Sequence, residues 1–338
     1  MKTLLITVSL AFIFFISING QSKNNYFIAS WNVENLFDTI DDEGKNDGEF
    51  TPDSGKKWTN ERLKVKLDNL AKVINYMNNG IAPDIMAFQE VEHEALVDSI
   101  VKRVVKRKYQ IVYAESQDTR GIDNGLIFDS DKFSLASYKL IRINLVGNHI
   151  TRYILKVHLI DKLNNEFYVY VNHWPSRLGG LEKSEPLRIK AAETLLNDIN
   201  EIYCYNKSPN IICLGDFNDE PNNISIAETL KAFPYEYGTD KIKNHQLINL
   251  SYKKFKDEEG TIKYRGDFNL IDQLIISNSL FSKIVNTDKC SLYNIIKPEW
   301  LLQKKGSYKD AAIPTYGGKR YFGGYSDHLP ISFEFELK

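Results

Sequence analysis

The stretch 211-IICLGDFND-219 decides the fold: an apolar run from Ile211 to Leu214 ends abruptly in Gly215, Asp216, Asn218 and Asp219. Four consecutive apolar residues bounded by a turn signal read as a strand buried on both faces. Isolated carboxylates at the edge of a core are costly unless something cationic meets them. The same ending recurs along the chain. "PDIMAFQE" closes on Gln89-Glu90 and "YFIASWN" closes on Asn32, while "NLIDQLIIS" holds Asp272 within an apolar run and "YSDHLP" sets Asp327-His328 directly before the last strand. A lone acid after a strand is ordinarily a turn residue or a helix cap. Five such endings point to polar groups gathered beyond the strand ends, where α/β sheets place their ligands. If the chain stays extended past Leu214, Asp216 and Asn218 project to the same side.

Working outward, short apolar runs alternate with amphipathic stretches, the pattern of a mixed α/β protein. Strands are expected at 26–31, 85–88, 111–114, 125–128, 152–159, 167–172, 211–214, 270–276 and 331–335, and helices at 62–77, 93–106 and 186–203. In the first helix Leu63, Leu67, Leu70, Val73, Ile74 and Met77 recur at three- and four-residue spacing before the stop signal Asn79-Gly80. With 338 residues and 43% hydrophobic composition the chain can bury a sizeable core. No internal repeat or linker interrupts it, so one domain over 24–338 is expected. The polar insertion "DDEGKNDGEFTPDSGKK", 41–57, lacks the spacing of a calcium-binding loop and reads as solvated.

Residues 1–20 carry Lys2, a short apolar run and then small and polar residues, the layout of a secretory signal peptide. No later segment has the length and apolarity of a membrane span. A secreted or periplasmic protein, a monomer without stable membrane association once the leader is cleaved, is therefore expected. Cys204, Cys213 and Cys290 are an odd number and cannot form a complete disulfide framework; Cys213 reads as a small core residue. The formal net charge of −1 names no partner.

Oxygen-bearing Glu, Asp and Asn side chains with few cysteines suit Mg²⁺ or Mn²⁺ better than zinc. His328 beside Asp327, with a buried Asp272 to orient its ring, suits acid–base work near neutral pH. His173 in "NHWPSR" follows a strand-like run, with Ser176 and Arg177 as phosphate contacts. His93, His149, His158 and His245 lack such neighbours and read as surface or packing residues. A cation, a base and a guanidinium together imply attack on phosphorus by water. No glycine-rich nucleotide cradle is present, which excludes a P-loop motor or kinase.

Read together, "SWNVENLFD", "FQEVE", "NHWPSR", "LGDFND", "LIDQLIIS" and "SDHLP" resemble the endonuclease/exonuclease/phosphatase superfamily, and the opening motif is most similar to its secreted bacterial nucleases. The resemblance implies a four-layer sandwich: two packed mixed β-sheets flanked by helices, with the active site at one end. It implies that Asn32 and Glu90 hold the cation, with Asp327 contributing to the metal or phosphate environment. Asp216 and Asn218 would position and activate water, Asp272 would orient His328, and His173 would contact the phosphate. Arg120 and Arg177 are the further candidates for substrate contact. DNA or RNA is the expected substrate. A phospholipid diesterase, a sugar-phosphate phosphatase and a catalytically dead binding protein are the alternatives on the same scaffold.

Overall fold

In the computed structural model, which describes residues 24–338 apart from 146, 148, 237–241, 286 and 287, the apolar runs become two mixed sheets. The leader at 1–20 lies outside the described residues. The first sheet contains β1 (Asn25–Leu36), β2 (Ile85–Val91), β3 (Tyr109–Tyr113), β4 (Asp123–Asp129), β14 (Tyr293–Ile295) and β17 (Ile331–Glu336), in the order β14-β17-β1-β2-β4-β3. The second contains β5 (Phe133–Ile141), β6 (Ile154–Asp161), β7 (Glu166–His173), β8 (Asn210–Asp216), β9 (Phe233–Pro234), β10 (Leu247–Asn249) and β13 (Asp272–Ser277), in the order β5-β6-β7-β8-β13-β10-β9. Two small ribbons lie outside them: β11 (Ile262–Tyr264) with β12 (Asp267–Asn269), and β15 (Tyr316–Gly317) with β16 (Arg320–Tyr321).

The packing follows from two-residue periodicity along each strand. Phe167, Val169 and Val171 of β7 and Ile212 and Leu214 of β8 join the central core between the sheets. Their neighbours Tyr168, Tyr170, Ile211 and Cys213 face outward into a second cluster with Ala191, Ala192, Leu195 and Ile199. These last four belong to α3 (Leu181–Tyr205). On the opposite side, α1 (Asn60–Gly80) buries Leu67, Leu70, Val73, Ile74 and Met77 against the first sheet beside the shorter α2 (Glu94–Val101). The layers are therefore helix, sheet, sheet, helix, the four-layer sandwich expected.

Three expectations need correction. The strand β5 was not foreseen, because between Phe133 and Ile141 its residues are largely solvent-exposed and its apolar pattern is diluted. The helix expected over 93–106 stops at Val101. The insertion 41–57 is not simply solvated: Phe50 is buried in a small cluster with Phe37, Trp58, Ile122 and Tyr316, and Asp47 is buried as well. All three cysteines are free thiols, with Cys213 buried in the core. Among the described residues, no helix is long and apolar enough to cross a membrane.

Candidate active site

Strand register assembles half of the site. β7 runs parallel to β8 with His173 opposite Asp216, and β13 runs antiparallel to β8 with Asp272 opposite Asp216. Three polar side chains on three neighbouring strands thus meet at one level of the second sheet. Gly215 makes this closeness possible. Its φ is +123°, and a Cβ there would lie 2.1 Å from the Asn172 carbonyl oxygen, so a side chain would push β7 and β8 apart.

Beyond Asp216 the chain turns instead of staying extended. Asn218 has φ +51°, and its N–H donates to Asp216 Oδ1 at 2.8 Å, closing an Asx turn. The two side chains are held close by that turn, not by the alternation of a pleat. The Asn218 amide donates to the Trp174 carbonyl at 3.0 Å, tying the turn to the end of β7. Asp219 then enters the interior and meets Arg188 of α3 at 2.7 Å, both fully buried.

The first sheet supplies the rest. Asn32 Nδ2 donates to Asp216 Oδ2 at 3.1 Å, joining the two sheets across the site. Glu90 adopts φ +65° after β2 leaves regular pairing with β4, which re-aims its carboxylate. The Asn35 N–H donates to Glu90 Oε2 at 2.8 Å, while Oε1 faces His173 Nε2 at 3.7 Å and Arg120 Nη2 at 4.0 Å, both beyond hydrogen-bond reach. Asp327 is solvent-exposed, and the adjacent His328 is buried. Asp272 Oδ2 holds His328 Nδ1 at 2.8 Å and accepts from Thr261 Oγ1 at 2.5 Å. His328 Nε2 consequently points to Asp216 Oδ2, 4.0 Å away.

Burial alone would lower the His328 pKa, but Asp272, Asp327 and Asp216 outweigh it and hold the imidazole well above its ordinary value. Burial also lowers His173, and there Arg152 and Arg120 reinforce it, so this second ring is neutral at pH 7. Burial lifts Asp216 to about 6, against the pull of the His328 charge. Burial would lift Glu90 too, yet Arg120, the Asn35 N–H and His328 keep it below the usual carboxylate range. The donor set offered by Glu90, Asn32, Asp216, Asn218 and Asp327 includes an ionised carboxylate with one oxygen free of hydrogen bonds. It fits a hard divalent cation of the Mg²⁺ or Mn²⁺ type.

Asn32, Glu90, His173, Asp216, Asn218, Asp272 and His328 are therefore brought together, and Arg120 reaches the same space. Arg177 is not free for substrate: its guanidinium donates to Asn218 O at 2.7 Å, Asn269 Oδ1 at 3.1 Å and Asn223 Oδ1 at 3.0 Å, and so braces the loop. Sequence reasoning overlooked Arg152, buried with Nε on the His173 carbonyl at 3.1 Å and Nη2 on the Trp174 carbonyl at 2.7 Å. It also overlooked the buried pair of Lys66 and Glu34, 3.9 Å apart. Glu34 accepts from the Thr315 and Tyr316 N–H groups, which anchors the segment before Asp327. Neither Arg152 nor Lys66 ends an apolar run, so no local signal marked them.

Two packed mixed sheets flanked by helices, with a polar, oxygen-rich cluster at one end, define a four-layer α/β sandwich. The chain matches the Endonuclease/Exonuclease/phosphatase family over residues 27–337 and belongs to that family. No curated protein matches it. Its fold is shared with the human Nocturnin catalytic domain with bound sulfate (17% identity, 93% of this chain and 95% of that one, TM-score 0.56). It is shared equally with an endonuclease/exonuclease/phosphatase family protein from Bacteroides thetaiotaomicron (15% identity, 93% and 98%, TM-score 0.57). A third likeness is to TDP2 of D. rerio complexed with a single-strand DNA product (17% identity, 92% and 98%, TM-score 0.56).

Proposed function

We propose that the chain is an exported, divalent-metal-dependent phosphodiesterase that hydrolyses DNA or RNA. One observation carries this reading: Glu90 and Asn32 of one sheet and His173, Asp216 and Asp272–His328 around the other converge on a single volume. A bound cation would polarise a phosphoryl oxygen and stabilise the charge that grows on it. Glu90 and Asn32 would hold that cation, with Asp327 at the mouth.

The chain's own groups do the rest. Asp216 and Asn218 orient a water molecule in line with phosphorus, and Asp216, beside the charged His328 ring, takes its proton as the new P–O bond forms. Asp272 fixes the ring so that Nε2 faces the reacting atoms. Neutral His173 donates a hydrogen bond to a phosphate oxygen, and Arg120 adds charge as the ester P–O bond breaks and the leaving oxygen departs as an alcohol, protonated from solvent. A nucleic acid substrate is supported by the DNA product in the D. rerio TDP2 complex and by the ribbon preceding Asp327, where Phe322 is exposed and Arg320 lies 5.0 Å over its ring. Export rests on the layout of residues 1–20.

The test incubates the purified protein with plasmid DNA, RNA, sphingomyelin and an inositol polyphosphate, with Mg²⁺ or EDTA, beside His328→Ala. Nucleic acid cleavage that needs both Mg²⁺ and His328 supports the proposal. Turnover of sphingomyelin or inositol polyphosphate alone supports a different substrate class, and turnover of none of the four supports the binding-protein alternative.

A further inference from the structure

Between the insertion after β1 and the end of β2 lies a second acidic cluster that shares no residue with the site above. Asp42, Asp47 and Glu92 each bring a carboxylate oxygen within 4.8 Å of the other two, and Asp38, Glu92 and His93 form an overlapping group. Asp47 and Glu92 are each only 1% exposed. One oxygen of each is used locally: Asp47 Oδ2 accepts from the Asp42 N–H at 3.1 Å, and Glu92 Oε2 accepts from the Asp38 N–H at 2.7 Å. Asp47 Oδ1 and Glu92 Oε1 are buried without any partner. Glu92 and Asp47 meet carboxyl to carboxyl, and the exposed Asp41 carboxyl meets Asp47 as well.

Buried acceptors without donors carry a full desolvation cost, and neighbouring like charges add to it. Among the described residues, the ion pairs of these four acids run to His93 alone, whose Nε2 lies 3.1 Å from Asp42 and 4.0 Å from Glu92. His93 is therefore no ordinary surface histidine, and one imidazole cannot balance four carboxylates. Phe50 and Trp58 pin the far end of the insertion into its small apolar cluster, so Asp42 and Asp47 are fixed against the end of β2.

We propose that Asp42, Asp47 and Glu92, with Asp38 at the rim, form a structural calcium site. Oxygen-only donors from three separated points of the chain suit Ca²⁺, which tolerates irregular coordination, better than Mg²⁺, which demands a near-ideal octahedron. The ion would clamp the insertion to the strand end two residues beyond Glu90, and so hold β1 and β2 in the relation that the catalytic cleft needs. Asp42, Asp47 and Glu92 are positioning residues in this assignment.

The test is calcium titration by calorimetry, together with thermal melting, on metal-stripped full chain, on Glu90→Gln and on Asp42→Asn/Asp47→Asn. The wild type and Glu90→Gln should share one Ca²⁺ site of the same Kd, whose filling raises Tm by about 4 °C at a hundredfold excess over that Kd. Asp42→Asn/Asp47→Asn should bind at least about tenfold more weakly, yet melt in the stripped state no lower than the wild type, because like charges have been removed. Glu92→Gln replaces that variant if it does not fold. Loss of binding in Glu90→Gln would move the ion to the catalytic cleft. Unchanged binding in the Asn variants would move it elsewhere, and no binding by the wild type would leave two carboxyls sharing a proton. Each of these outcomes overturns the assignment.

Discussion

Asp272 and Asp216 stand directly opposite each other on β13 and β8, and the His328 ring bridges them, 2.8 Å from the first and 4.0 Å from the second. Two acids in cross-strand register repel, and the His328 ring between them, together with donors from Asn32, Asn218 and Thr261, offsets that repulsion. The sheet thereby sets the orientation of the imidazole: one nitrogen is committed to Asp272 and the other is aimed at Asp216.

That division predicts the behaviour of two variants. His328→Ala should lower kcat by about 10²–10⁴-fold. Asp272→Asn keeps the shape but removes the charge that orients and charges the ring, and should lower kcat with little change in KM. Steady-state kinetics on a cleaved oligonucleotide reads both, and an Asp272→Asn enzyme with wild-type kcat would remove Asp272 from the proposed mechanism.

Gly215 is fixed by the neighbouring backbone. Gly215→Ala places a methyl group 2.1 Å from the Asn172 carbonyl oxygen at a φ of +123°. The expected loss of stability is at least about 3 kcal/mol, measured by urea denaturation. Activity should fall as well, since the displaced strands carry His173 and Asp216.

The fully buried ion pair of Arg188 and Asp219 anchors the turn that holds Asn218. Ser184 accepts a further Arg188 N–H at 2.8 Å, and Ser225 donates to Asp219 at 2.6 Å. Arg188→Ala leaves the buried Asp219 carboxylate with only the more distant Arg177 Nε at 3.7 Å as a cationic partner and should cost about 3 kcal/mol. The double change Arg188→Met with Asp219→Leu removes both charges and should recover part of that loss. Thermal unfolding of the three proteins checks the order.

Asp198 gives a pH dependence remote from the cleft. It joins α3 to the second sheet by accepting from Lys139 at 2.5 Å, Lys156 at 2.7 Å and Tyr170 at 2.8 Å. Burial would raise its pKa, but these three partners lower it below the ordinary value. A carboxylate lowered on folding stabilises the protein above its unfolded pKa, and that stability is lost as pH falls through the folded pKa. Asp198→Asn should therefore cost about 1–2 kcal/mol at pH 7, a figure reduced for the half-exposed Lys139. The difference should be full at pH 7 and 5 and shrink as pH falls below the ordinary Asp range, as urea titrations from pH 7 downward would show.

The central strands were legible because their signal is local. Ile211 to Leu214 is apolar on both faces since α3 covers one and the first sheet covers the other. β5 was not, because most of its residues meet solvent and carry no pattern. The polar endings of β1, β2, β8 and β13 marked Asn32, Glu90, Asp216 and Asp272 as unusual, but the Asn218 turn depended on one residue leaving the extended conformation. Arg177 and Arg120 could not be told apart, since a guanidinium's partners lie in other segments. The acids at 41–57 looked solvated for the same reason: Glu92, which meets Asp42 and Asp47, lies far along the chain.

The sequence by itself determined which segments are strands and helices, which of their ends carry oxygen and imidazole groups, and which family the ordered motifs resemble. Those properties follow from residue type and from periods of two and three to four. Only the tertiary structure decided which groups meet: Asn32 reaches Asp216, 184 positions further along the chain, and Asn35 reaches Glu90, 55 positions further. Contacts over such separations depend on sheet order, register and close backbone approach, none of which is encoded in a local stretch of chain.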